Sequence, residues 1–167
     1  SAPRREGILG LLIGATTKER AIECVLDWLA TFGEQAAFLV ACGPSLATWG
    51  ARGVASPPAG GLRETCRIGE SPGACAALVA GAPGIVSLTG DDGLRQGLER
   101  ELRMEASGRV LLAPLHVHDQ VFGLFVVSRL RSGVTMDPTL LAELVRRLSF
   151  RLQALQLMEM VAAPLGA

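Results

Sequence analysis

The chain has 167 residues, 49% of them hydrophobic, and its sixteen basic and sixteen acidic side chains cancel. That length and composition suit one domain with a sizeable core, and the balanced charge gives no whole-domain pull toward nucleic acid or an anionic membrane. Its longest apolar runs, "ILGLLIGA" (8–15) and "VLLAPL" (110–115), are too short to cross a bilayer. With no signal-peptide pattern either, the expectation is a cytoplasmic protein without nucleic-acid or membrane partners.

In chain order, "GILGLLIGA" (7–15) reads as a short helix or the end of a longer one. Thr16 and Glu19 make a capping-box pattern. Ile22, Val25, Leu26, Leu29 and Phe32 recur at helical spacing, with Gly33 as the expected stop. "AAFLVAC" (36–42) and "LATWGARG" (46–53) flank Gly43-Pro44 and predict a hairpin whose first strand is buried on both faces. Residues 55–70 mix Pro, Gly and charge, predicting loop with a short strand around Thr65–Ile68. Ser71 and Pro72 then cap and start a helix that runs to Ala80 and stops at Gly81.

"GIVSLT" (84–89) is a strand candidate, and residues 91–106 predict a helix with Asp91 and Asp92 at its positive end and Gly108 as terminator. The strongest strands are 110–117 and 121–130, joined by His118-Asp119-Gln120. Asp137-Pro138 opens a last helix. Along it Leu141, Leu144, Leu148, Leu152 and Leu155 form a stripe at spacings of 3, 4, 4 and 3. Helices at both ends with meandering strands between them indicate an α+β fold built on an antiparallel sheet.

Fifteen of the sixteen basic residues are Arg, and the chain has no Asn or Tyr, a bias that fits a GC-rich bacterial genome. None of Cys24, Cys42, Cys66 and Cys75 forms a C-x-x-C pair, which removes zinc-knuckle and thioredoxin-type motifs. His116 and His118 share a face if both lie on the strand, yet no third and fourth ligand accompanies them, so no metal and no other cofactor is expected. No nucleophile, base and orienting group stand together, and a non-enzymatic domain follows.

The stretch "VLLAPLHVHDQVFGLFVVSRLRSG", with "AAFLVACGPSLATWGARG" and "GACAALVAGAPGIVSLTGD", resembles a GAF domain. In that family a Pro-Leu-x-Val strand leads through a turn into Val/Ile-x-Gly-Leu-x-Val. Pro114, Leu115, Val117, Val121, Gly123, Leu124 and Val126 fill those places, and Asp119 stands where the turn Gly is usual. The leucine-rich closing helix further resembles GAF-like modules of large myxobacterial signalling proteins. The resemblance covers Thr17 to Leu157. It implies a GAF/PAS-like central antiparallel sheet with the N- and C-terminal helices on one face and the loop-and-helix middle segment over the other. Residues 1–16 become a helical lead-in, 17–157 the domain, and 158–167 a tail or linker.

Three ligand chemistries of the family are tested against these residues. A cyclic-nucleotide site of the Asn-Lys-x-x-Phe-x-x-x-Asp-Glu kind cannot form without Asn. A bilin site lacks its Cys-His pair. Methionine sulfoxide reduction needs pocket cysteines of low thiol pKa, for which Cys66 and Cys75 are the candidates although the catalytic motif is unmatched. What the resemblance implies is a regulatory domain of a larger signalling protein. Such a domain binds an unidentified small ligand or a partner, and relays the change to an output domain outside this chain. Trp49, Leu62, Cys66, Cys75, Leu78, Leu88 and His116 are its ligand-surface candidates. The alternative is a ligand-free dimerisation or docking scaffold, a homodimer through the terminal helices with Leu141, Leu144, Leu148, Leu152 and Leu155 at the interface.

Overall fold

The computed structural model describes residues 5–55, 58, 60–133 and 136–162; parts of the expected lead-in and tail, 1–4 and 163–167, lie outside the described residues. Helices α1 (Arg5–Ile13) and α2 (Lys18–Leu29) open the chain. The cap of α2 is Thr17, whose side chain accepts the Arg20 N–H at 3.1 Å, one residue beyond the expected Thr16. Gly33 does not end a helix either. A 3-10 turn, Ala30–Phe32, closes α2, and Gly33 begins strand β1 (Gly33–Cys42) with extended backbone.

Strand β1 turns through Pro44 into β2 (Ser45–Arg52), and β2 pairs with the short edge strand β3 (Arg63–Arg67). Helix α3 (Pro72–Ala80) starts as the sequence predicts. The Ser71 hydroxyl accepts the Ala74 N–H at 3.0 Å, and Gly81 closes the helix in the left-handed region. After β4 (Gly84–Ser87), helix α4 (Gly93–Leu102) stops six residues before Gly108 because Arg103 itself takes a positive φ and its N–H caps Glu99 and Leu98. Strands β5 (Arg109–Val117) and β6 (Gln120–Leu130) form the expected hairpin, and α5 (Pro138–Ala162) closes the described chain.

All neighbouring strands are antiparallel, in the order β3-β2-β1-β6-β5-β4. The central strands β1 and β6 are therefore covered on both faces, and Ala36, Ala37, Phe38 and Leu39 of β1 are all fully buried. On one face lie α1, α2 and α5, packed around Trp28, Phe32, Phe38 and Phe125. On the other lie α3 and α4, packed through non-aromatic side chains. Gly123 explains one interruption in the β6 pattern. A Cβ there would run into the Phe38 ring and the Leu39 carbonyl, so the glycine is what lets that ring cross the sheet centre.

The leucine stripe of α5 is consumed inside this core. Leu141, Leu144, Leu148, Leu152 and Leu155 are at most 5% exposed and pack on α2 and the sheet, so they offer no free face to a second chain. The apolar surface that α5 leaves open is a different set, Phe150, Leu157 and Met158.

Candidate functional site

The space between the sheet and the middle segment is where a ligand was expected. Helix α4 presents Leu94, Leu98 and Leu102 at successive i+4 positions, all at most 1% exposed. They meet Leu39 and Leu46 from β1 and β2, Val110 and Leu112 from β5, and Met104 and Ala106 from the chain after α4. Ala74 and Leu78 close it from α3, and Leu88 from the loop after β4. The close seating of α4 depends on Gly97, where a Cβ would collide with the Thr65 carbonyl of β3. Each fully buried leucine contributes about 1.5–3 kcal/mol, so this layer is an apolar core in its own right.

Its borders are fastened by polar pins. Asp92, 2% exposed, caps α4 by accepting the Leu94 N–H at 2.9 Å. The same carboxylate accepts the Ser71 hydroxyl at 2.6 Å and the Gly73 N–H at 3.0 Å. One anion thus joins the positive ends of two helices, which is where a carboxylate is most stabilised. The hydroxyls of Thr48 and Thr65 lie 2.7 Å apart between β2 and β3, and Arg100 donates to the Thr65 carbonyl at 2.9 Å. Open clefts line the outer surface of this layer, among them one of about 390 Å³ between Arg95, Glu99, Glu105 and Ser107. Another of about 210 Å³ lies between Thr48, Arg63, Glu101 and Leu102, and one of about 250 Å³ between Glu64, Cys66, Glu70 and Arg100.

Three of the seven sequence candidates meet in this core: Cys66, Leu78 and Leu88. Leu62 is 55% exposed just before β3, and Cys75 is exposed on α3. Trp49 lies on the wrong face. A bulge opposite Phe38 and Leu39 shifts the β2 register at Trp49, and its ring packs on the helical side, 6.1 Å from Phe38 edge-on. His116 is half-buried near the end of β5, where its backbone carbonyl accepts the Ser149 hydroxyl at 2.6 Å. His118 does not share a strand face with it. His118 and Asp119 both take positive φ, 54° and 60°, making a two-residue turn with exposed side chains. Among the described residues no group of three or more His, Cys, Asp or Glu is placed to hold a metal ion.

The two buried thiols, Cys24 and Cys66, are poorly suited to nucleophilic work. Burial, reinforced by Asp92, Glu70 and Glu64, pushes Cys66 up to about 12 from its ordinary 9.0. Burial likewise raises Cys24. Reactive cysteines need the opposite environment. Sequence reasoning missed the two features that decide the site. The Leu94, Leu98, Leu102 series was legible as an i+4 run, whereas the Ser71–Asp92 pin, 21 residues apart, had no local signal.

No family model matches this chain, and no curated protein matches it in sequence. Solved structures do match it in shape. The phycoerythrobilin-bound GAF domain from a cyanobacterial phytochrome superposes with a TM-score of 0.67 at 13% identity, covering 95% of this chain and all of that one (100%). The fold is that of a GAF domain. Residues 122 to 287 of a methyl-accepting chemotaxis protein give 0.66 at 18% identity, over 91% of this chain and 97% of that one. The free methionine-R-sulfoxide reductase from Neisseria meningitidis, in complex with its substrate, gives 0.64 at 15%, over 92% and 89%. The GAF fold therefore spans a pigment-bound domain, a chemotaxis protein and an enzyme, and side chains must separate them. The hairpin residues Pro114, Leu115, Val117, Val121, Gly123, Leu124 and Val126 sit on β5 and β6, in the pattern the family resemblance implied.

Proposed function

We propose that this chain is a non-enzymatic regulatory module of a signalling protein, working as a docking scaffold through its terminal helices and enclosing no small ligand. The observation that carries this reading is the filled middle layer: Leu94, Leu98, Leu102 and Met104 pack the space between the sheet and the middle segment, where the family resemblance implies a ligand pocket. The reading departs from the small-ligand sensor expected from sequence for that reason. The chemotaxis protein and phytochrome among its structural neighbours support a signalling context. The reductase neighbour supports catalysis less well here, since Cys66 is held protonated and Cys75 is exposed on α3. The output domain lies outside these 167 residues on this reading.

Native mass spectrometry tests it directly. The purified protein is expected at the mass of the chain or a whole multiple, with nothing released on acid denaturation. A stoichiometric small molecule that leaves on unfolding overturns the proposal.

A further inference from the structure

Helix α5 carries a second apolar stripe, on the side away from the buried leucines. Phe150, Ala154, Leu157 and Met158 recur at i, i+4, i+7 and i+8, and Phe150, Leu157 and Met158 are 58%, 61% and 57% exposed. Helix α1 lies alongside it and adds Ile13, 65% exposed. Between the two helices runs a cleft of about 450 Å³, floored by Leu9, Leu12 and Ala154 and flanked by Ile13 and Phe150. The Arg151 guanidinium holds the helices in this relation by donating twice to the Ala15 carbonyl, at 2.6 and 3.1 Å.

Among the described residues that line this cleft, the charged ones are arginines. Arg147 and Arg151 line it, and Arg146 is exposed one position before Arg147. Glu143 is the nearby acid on α5, 3.8 Å from Arg147 and with its side chain 19% exposed. A concave apolar floor between two helices fits a third helix, and a cationic rim selects one with carboxylates beside its apolar face. A symmetric contact with a second copy would instead set these arginines against themselves.

We propose that the α1–α5 groove docks an amphipathic helix bearing Asp or Glu on its flanks, supplied by a partner protein. The inference rests on the reading that the terminal helices are the working surface, and it names the partner that surface takes. Its test uses two designed helical peptides with leucines at i, i+3, i+4 and i+7, one flanked by glutamates and the other by lysines. Each is titrated by fluorescence anisotropy against the whole chain. The acidic peptide is expected to bind roughly tenfold or more tighter than the basic one, to weaken as salt rises, and to lose binding to Phe150→Asp. Arg147→Glu should narrow the preference between the peptides. Both side chains are exposed, so an unchanged melting temperature shows that the variants fold.

Equal affinity for the two peptides, or binding indifferent to Phe150→Asp, overturns the proposal. So does sedimentation showing a dimer that Phe150→Asp dissolves, or uptake by phosphatidylserine vesicles that Phe150→Asp abolishes while neither peptide binds. Those results change the occupant and leave the ligand-free reading of the middle layer standing; a bound small molecule in native mass spectrometry strikes that reading and leaves the groove untouched.

Discussion

The two faces of the sheet solve the same packing problem with different materials. The helical face is filled with large rings: Phe38 and Phe125 have centroids 4.5 Å apart, and Trp28 meets Phe32 edge-on at 4.8 Å. The middle face contains no aromatic residue among its buried side chains and is built from Leu, Val, Ala, Met and Cys66. Rings cover much area with few contacts to arrange. Aliphatic layers made from short helices and loops need their ends held, and the Ser71–Asp92 and Thr48–Thr65 pins do that. The helical face tolerates one loose polar group, the Trp28 indole N–H, which is buried without a partner among the described residues. The lesson is that the middle layer is a second core with fastened borders.

Removing the fastener should separate the two faces most clearly. Asp92→Ala leaves two backbone N–H groups and the Ser71 hydroxyl without their acceptor. It is expected to cost about 3 kcal/mol, and hydrogen exchange should quicken in α3 and α4 while α2 and α5 stay protected. Uniform loss of protection would mean that the layers unfold only together.

A smaller effect comes from alkali. The unfolded Cys66 thiol ionises around 9.0, whereas the folded one stays protonated until about 12. Its contribution is intact below pH 9, and stability falls across 9–12 by up to about 1.4 kcal/mol per pH unit. Cys66→Ala should flatten that slope in urea titrations at stepped pH. The smallest effect is expected at Trp28→Phe. Loss of an unpartnered N–H offsets loss of ring area, so stability should move by less than about 1 kcal/mol. A drop of several kcal/mol in calorimetry would show that the indole nitrogen does have a partner.

Much of the fold was legible because its strongest strands are continuous apolar runs and its helices carry caps. "PLHVHDQVFGLFVV" reads as a hairpin from two apolar runs joined at His118-Asp119-Gln120, and Ser71-Pro72 with Gly81 brackets α3. The errors have local causes. Arg103 ended α4 by adopting a conformation usually left to glycine, so Gly108 was the wrong terminator. Thr16 and Thr17 both suit a cap, and only backbone geometry chooses between them. The site was less legible. The family resemblance offered Trp49 as a ligand-surface residue, whereas its ring packs on the helical side. A leucine stripe looks the same whether a sheet or a second chain covers it, and here the sheet and α2 do. Of the outer stripe, Phe150 and Leu157 went unread because the inner one is longer and more regular.

The central claim, that the middle layer is a filled core, is tested most directly by Leu98→Ala. This side chain is fully buried at the centre of α4, and truncating it in a packed core leaves a cavity. Urea unfolding should show a loss of about 2–5 kcal/mol. A loss below about 1 kcal/mol would contradict the account, because only a leucine lining an open chamber can be removed so cheaply.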